Sequence, residues 1–282
     1  MYGFRLLPAL NGLWLILAGM VLLGVFLARE SRIDYPVLHV SLFRHNATFA
    51  LSNLAALINY AATFGVSFLL SLYLQYVKGL DPRTAGILML SQPVIMAISS
   101  PLTGRLSDRI EPRLLASAGM ALTVTALVLF SFLGSTSSLP HVAAILVLAG
   151  LGFGLFSSPN TSAIMGSVER RFYAVASATT GVMRLIGQML SMGIAALIIA
   201  VVVGQVEITP ERYPGFLSAF RLGLIVFALL CTAGLVASMA RGTLHAPGPE
   251  APVAPAGPTG PAGQTGNAGR TGRAGPAAPA GR

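Results

Sequence analysis

The chain has 282 residues, 54% of them hydrophobic and 10% charged, and its formal net charge is +9 at pH 7. About a quarter of the residues in ordinary soluble domains are charged, so the composition excludes such a domain. The apolar residues come in blocks of about 20, which as helices cross ~30 Å of hydrocarbon, and most Lys and Arg lie in the short loops between these blocks. We therefore expect an all-α integral membrane protein whose partner is the lipid bilayer and not nucleic acid.

Seven apolar blocks long enough to span a membrane follow one another along the chain. They predict a first helix with its cytoplasmic loop (residues 1–46), a six-helix bundle (47–240) and a tail (241–282). The predicted spans are Leu10–Ala28, Thr48–Gln75, Ala85–Thr103, Leu114–Leu133, Val142–Ser158, Ala174–Val203 and Phe216–Ala240.

Caps and prolines mark several helix ends. Asp81 followed by Pro82 is typical of an N-cap and a first-turn proline. Pro101 and Pro159 each follow two serines near the predicted end of a span, where we expect kinked helix ends, because serine hydroxyls can satisfy carbonyls that proline leaves free.

The tail differs in composition from the rest of the chain. From Gly257 to Gly275 a glycine recurs at every third residue, with proline at some of the positions between. The repeat is compatible with a collagen-like triple helix or with a flexible Pro/Gly/Ala segment. Because the triplets are few, we expect a disordered cytoplasmic tail.

The arginines predict the orientation in the membrane. Short cytoplasmic loops collect Lys and Arg, and the loop between the third and fourth predicted spans holds Arg105, Arg109 and Arg113. Counting the other loops in the same way places the N-terminus outside and the C-terminus in the cytoplasm.

Polar residues inside the spans indicate candidate pathway positions. Every Asp and Glu lies outside the spans, whereas Arg184 and Arg221 lie within them. A charged residue in a membrane is costly and usually faces a bundle interior or a watery cavity, although Arg221 is near enough to a helix end to extend its side chain to the surface. Amides in spans also serve as packing contacts between helices, so both interpretations stay open for each of them. The candidate pathway residues are Asn53, Asn59, Tyr60, Gln92, Asn160, Arg184 and Gln188.

The sequence contains no pattern typical of a catalytic or metal site. The four histidines lie in loops, at loop edges or in the tail, and no phosphate-binding Gly-rich loop with Lys occurs. The single cysteine, Cys231, excludes an intrachain disulfide and a cysteine metal cluster. We therefore expect neither an enzyme nor a cofactor.

The loop at 104–113 reads Gly-Arg-Leu-Ser-Asp-Arg-Ile-Glu-Pro-Arg. It resembles the G-x-L-x-D-R-x-x-x-R/K signature, motif A, of the major facilitator superfamily. Further stretches in the same order are similar to the C-terminal half of fourteen-helix drug–proton antiporters. They are Leu74–Tyr76, Gly79–Pro82, Ala85–Gly86, Ser157–Asn160 and Gly166–Val168.

The resemblance implies a specific architecture and gate. The last six spans would form one half-bundle of 3+3 inverted repeats, the first span would be an extra central helix, and the N-terminal half would be missing. In the superfamily the motif A aspartate helps to lock the outward-facing state, which assigns gating to Gly104, Asp108, Arg109 and Arg113. The family prefers glycine three residues after this aspartate, where this chain has Glu111 followed by Pro112, so we expect a different turn.

Two functions remain open at this point. The resemblance implies half of a multidrug efflux transporter that exchanges protons for amphipathic small molecules by alternating access, and that needs its missing half or a second copy. The alternative is a non-transporting membrane scaffold or an inactive remnant. An intramembrane enzyme is disfavoured because the spans hold no reactive set of side chains.

Overall fold

The computed structural model describes residues 46–107, 109–204 and 213–240, together with a few positions between 21 and 44. The first predicted span as a whole, Asp108 and the tail lie outside the described residues. The described helices are α1 (Ala47–Leu72, continued by a π-helical turn at Tyr73–Val77), α2 (Pro82–Met89), α3 (Ser91–Ser107), α4 (Pro112–Ser131), α5 (Leu139–Gly166), α6 (Tyr173–Val202) and α7 (Tyr213–Ala240).

Six helical stretches of the described chain are long and apolar enough to cross a membrane, which confirms six of the predicted spans. One of them, Pro82–Ser107, consists of α2 and α3 in succession. Its start is fixed by Asp81, whose carboxylate accepts hydrogen bonds from the backbone N–H groups of Arg83 and Thr84. Hydrogen bonds from the side chain and the backbone of Thr84 hold the pKa of this carboxyl below its usual value. Asp81 therefore stays ionised and caps α2, as the sequence predicts.

Two prolines lie inside helices instead of at their ends, and a third, Pro93, lies in the first turn of α3. Pro101 is internal to α3 and Pro159 is internal to α5, which continues to Gly166, so the predicted ends of both spans fall short. A membrane helix tolerates proline when neighbouring helices and hydroxyl groups satisfy the freed backbone. Pro93 has a larger effect because it removes the N–H that would bond to the carbonyl of Met89, and the helix breaks at Leu90, between α2 and α3.

The helices pack as two repeats that interlock. The first repeat consists of α1, α2–α3 and α4, and the second consists of α5, α6 and α7. The contact between α1 and α6 in one part of the bundle is equivalent to the contact between α3 and α5 in the other. In the same way, the contact between α4 and α5 is equivalent to the contact between α7 and α1. The contact between α4 and α7 is its own equivalent. Exchanging α1 with α5, α3 with α6 and α4 with α7 leaves this set of pairs unchanged. Because each repeat has three spans, the two repeats run in opposite directions, as a 3+3 inverted repeat requires.

Glycines allow the closest approaches between the repeats. A Cβ atom on Gly187 of α6 would lie 2.5 Å from the backbone oxygen of Leu57 in α1. A Cβ atom on Gly150 of α5 would lie 2.5 Å from the backbone oxygen of Gln92 in α3. The pseudo-equivalent pairs α1–α6 and α3–α5 are therefore both backbone-to-backbone contacts that need a residue without a side chain.

Polar contacts also connect α1 to α5 at both of its ends. At one end the Tyr73 hydroxyl donates to the carbonyl of Gly134, 2.7 Å away, and the Lys78 ammonium donates to carbonyls in the loop that leads into α5. At the other end Asn46 caps α1 through Phe49 and donates to the carbonyl of Ser167, which follows α5. These contacts hold the two repeats together as one bundle.

Candidate functional site

A groove of about 370 Å³ lies between α1, α3, α5 and α6. Four of its residues, Tyr60, Thr63, Phe64 and Ser67, follow one stripe of α1 at intervals of three and four residues. The full lining is Tyr60, Thr63, Phe64, Ser67, Gln92, Pro93, Met96, Phe153 and Gln188. Aromatic and apolar walls with a few amide and hydroxyl groups are typical of sites for amphipathic small molecules, and the volume is within their usual range.

The groove lies near the middle of the membrane. Tyr60 is close to the centre of the span Ala47–Val77, Gln92 is close to the centre of Pro82–Ser107, and Gln188 is close to the centre of Arg170–Val202. Phe153 occupies the middle of α5. Residues from four different spans therefore meet at one depth, where secondary transporters place their substrate sites.

The geometry of the groove comes from an aromatic pair and from the helix break. The rings of Tyr60 and Phe153 meet edge to face with centroids 5.3 Å apart, so they form a rigid wall that joins α1 to α5. Pro93 lies in the lining just after the break at Leu90, so the break positions Gln92 and Met96 on the opposite wall.

A small inner pocket extends the groove towards α4. It shares Thr63, Ser67 and Gln92 with the groove and adds the hydroxyl of Thr123. Its volume of about 20 Å³ is close to the space that one water molecule occupies, and these polar groups could bind that water. Gln92 can therefore interact with both a substrate and a bound water.

Of the predicted pathway residues, Tyr60, Gln92 and Gln188 line the groove. Arg184 is exposed and lies one turn before Gln188 on the same face of α6. Phe153, Thr63 and Ser67 were missed by the sequence analysis. The three- and four-residue spacing from Tyr60 along α1 could have identified Thr63 and Ser67.

The three asparagines among the predicted pathway residues lie between helices, with at most 3% of their surface exposed. Asn53 donates to the carbonyl of Phe49 and accepts from the Thr180 hydroxyl of α6, and Asn160 donates from α5 to the carbonyl of Ser52 in α1. Both amides thus act as packing contacts in this structure. Asn59 is fully buried, and neither its amide nitrogen nor its amide oxygen has a hydrogen-bond partner among the described residues.

The predicted gating loop joins α3 to α4. Gly104 lies where α3 passes close to α5, and a Cβ atom there would be 2.9 Å from the Ser158 hydroxyl. Arg109 is exposed in the turn, whereas Arg113 is partly buried in the first turn of α4. Pro112 begins α4, with Glu111 at the N-cap position, which explains how the chain accommodates the departure from the family pattern. Asp108 lies outside the described residues.

Among the described residues, no Asp or Glu lies in the groove, and no group of His, Cys, Asp and Glu could hold a metal ion. The described acidic residues are Asp81, Glu111 and Glu169, all at or beyond helix ends. The groove therefore offers aromatic contact and neutral hydrogen bonds.

Residues 52–273 match the family model described as Major Facilitator Superfamily. The chain is 33% identical over 156 residues to the riboflavin transporter RibZ of Clostridioides difficile (strain 630), which covers 55% of this chain and 34% of that protein. It is 32% identical over 195 residues to the methyl viologen resistance protein SmvA of Salmonella typhimurium (strain LT2), which covers 67% of this chain and 39% of that protein.

The fold is similar to a solved structure of a bacterial homologue of the human lysosomal transporter Spinster, in an inward-facing and occupied conformation. The TM-score is 0.56 at 18% sequence identity, and the match covers 70% of this chain and 49% of the other. The chain thus spans a third to a half of the length of the proteins that it matches.

Proposed function

Because this chain belongs to the major facilitator superfamily, we propose that it forms one half of a secondary active efflux transporter that exchanges protons for amphipathic small molecules. The groove at the membrane midplane carries this proposal. Its aromatic wall, formed by Tyr60 and Phe153, would contact the apolar part of a substrate. Gln92 and Gln188 would hydrogen-bond its polar part. A relative named for methyl viologen resistance supports efflux of a toxic compound, while another is named a riboflavin transporter.

Alternating access requires a second bundle. The spans that contain α3 and α6 are the least buried: 11% and 22% of the residues in their apolar 18-residue stretches are buried inside the bundle. These two spans are equivalent under the pseudo-twofold exchange, and both border the groove. We therefore propose that a second half-bundle, either an N-terminal half or another copy of this chain, covers the groove against α3 and α6.

Proton coupling would depend on that second half-bundle. Proton relays in membranes use Asp, Glu or His within the spans. The described spans contain no Asp or Glu, and their histidine, His141, is exposed in the first turn of α5 and is not part of the groove lining. This chain would supply substrate contacts and the motif A gate, with Asp108 and Arg109 stabilising one of the two states.

The orientation is part of the same proposal. The end of the bundle that carries the 104–113 loop also carries Arg170 and Arg171, and we name it the arginine-rich end. The described part of the opposite end has Lys78 and Arg83. This bias favours a cytoplasmic arginine-rich end, with the N-terminus outside and the C-terminus inside.

The test is proton-driven dye efflux from vesicles that contain this chain with or without the polypeptide encoded immediately upstream. We expect efflux only when both are present. In the complete system, Gln188→Leu should raise the KM for the dye about threefold to tenfold, because it removes a hydrogen bond worth ~1 kcal/mol. The matched control is Gln75→Leu, an amide that bonds to Ser71 away from the groove.

Two results would contradict the proposal. Absence of efflux from the combined system, with both chains inserted, would favour a scaffold or an inactive remnant. An equal change in KM for both glutamine variants would mean that Gln188 does not contact the substrate in this groove.

A further inference from the structure

A second groove, of about 540 Å³, lies between α4 and α7 and is separate from the groove described above. We name it the α4–α7 groove. Most of its lining is apolar, and the polar members are Ser131, Arg221 and Thr232. The Ser131 hydroxyl donates to the carbonyl of Val128, and the Thr232 hydroxyl donates to the carbonyl of Ala228, each within its own helix. Arg221 is therefore the residue of the lining whose donors are available to a ligand.

Arg221 is exposed within this lining, and no described carboxylate neutralises it. Asp81 caps α2, Glu169 pairs with Arg171 at 2.9 Å, and Glu111 lies at the arginine-rich end, whereas Arg221 is near the opposite end of the bundle. A guanidinium on a membrane-facing surface is costly unless it reaches the headgroup layer or an anion.

The dimensions of the groove match a lipid tail. Arg221 and Thr232 are both on α7, and their separation of 11 positions corresponds to ~16 Å along the helix axis. The charge lies at the end nearer the membrane surface, and its side chain leans further towards that surface because helical side chains point to the helix N-terminus. The apolar part extends from there towards the midplane, between Val124 and Leu224.

We propose that the α4–α7 groove binds an acyl chain of an anionic phospholipid whose phosphate pairs with Arg221. The planar guanidinium can donate two parallel hydrogen bonds to phosphate oxygens, which favours a phosphate over a single-point anion. A lipid with net negative charge is selected because the positive charge of Arg221 has no described counter-charge. A zwitterionic lipid brings its own ammonium group and gains less from this position.

The test uses a fluorescent reporter in the groove of the full chain. The sequence has a single tryptophan, Trp14, and the side chain of Phe132 is 74% exposed at the surface end of the groove. A Trp14→Phe, Phe132→Trp protein is reconstituted with brominated phosphatidylglycerol or brominated phosphatidylcholine, each of which quenches a tryptophan that it touches. We expect about fivefold preferential quenching by phosphatidylglycerol, which corresponds to ~1 kcal/mol.

Arg221→Gln in this background should abolish the preference and leave quenching by phosphatidylcholine unchanged. The matched control is Arg83→Gln, which removes an exposed positive charge from the first turn of α2 at the same end of the bundle and should preserve the preference. Equal quenching by both lipids before the Arg221 substitution would overturn the proposal. So would an absence of quenching by either lipid, since it would mean that another protein segment covers the groove.

Discussion

Buried amides show what a polar residue in a membrane helix can mean. Asn53 and Asn59 are both in α1 and both fully buried, yet Asn53 has hydrogen-bond partners and Asn59 has none among the described residues. From the sequence, these asparagines cannot be distinguished from Gln92 and Gln188, because polarity within a span is the same signal in each case. Which helix faces the amide decides its role, and this depends on tertiary packing.

Because of this difference, substitution by alanine should destabilise the protein more at Asn53 than at Asn59. Asn53→Ala should lower the free energy of unfolding by about 1–2 kcal/mol more than Asn59→Ala, because the first breaks two hydrogen bonds while the second removes a buried amide without partners. Thermal unfolding of the two variants in detergent compares them directly. Equal losses of stability would mean that Asn59 has a partner, such as a bound water.

The carboxylate of Asp108, in the predicted gating loop, should be required for transport. In a complete transporter, Asp108→Asn should lower efflux severalfold without affecting membrane insertion, since the proposed gate depends on the carboxylate. Glu169→Gln is the matched control, because Glu169 is an exposed acid at the same end that pairs with Arg171. Normal turnover of the Asp108 variant would remove the gate assignment.

The helices themselves are more predictable than their contacts. Six spans follow from apolar blocks of sufficient length, and the start of α2 follows from Asp81 and Pro82. The end of α5 does not, since Pro159 suggests a stop that the surrounding helices override. The roles of the glycines are also invisible in the sequence. Gly181 and Gly187 are in the same helix. A side chain at Gly187 would meet the backbone of α1, whereas a side chain at Gly181 would meet nothing within 4 Å.

These two glycines form a matched pair for a prediction. Gly187→Ala should lower the melting temperature of the bundle, because the added Cβ atom would lie 2.5 Å from the Leu57 carbonyl oxygen and force α1 and α6 apart. The expected cost is about 1–3 kcal/mol, as for other overpacked contacts. Gly181→Ala meets nothing within 4 Å and should be neutral or slightly stabilising, through its higher helix propensity. Similar melting temperatures for the two variants would contradict the close crossing.

For the molecule as a whole, the open surfaces are as informative as the core. Ala97 of α3 is exposed and lies one turn after Pro93 of the groove lining. Leu185 of α6 is 53% exposed and lies one turn before Gln188 of the same lining. Val236 of α7 is 64% exposed on a different face. The resemblance to a half-bundle could be obtained from the loop at 104–113 and the number of spans. The pairing of α3 with α6 as the two open faces required the packing of all six spans.

A photo-crosslinking residue placed at these positions tests the whole assembly. With p-benzoylphenylalanine at position 97 or 185, we expect crosslinks to a second half-bundle in membranes that contain both chains. At position 236 we expect crosslinks to lipid, because that surface faces the bilayer under the proposed arrangement. Protein crosslinks of equal yield at all three positions would contradict docking through α3 and α6.

The lengths of the helices set a further property, the membrane thickness that suits the protein. Helix α4 has 20 residues and is ~30 Å long, which equals the hydrocarbon thickness of an average bilayer and leaves no excess for tilting. The other described spans have between 26 and 33 residues and can tilt to accommodate a thinner or thicker membrane. Because α4 packs against both α5 and α7, a thicker bilayer would bring the charged loop at its start and the polar turn at its end into the hydrocarbon before any other span was strained. In this way the shortest span adapts the entire bundle to one class of membrane.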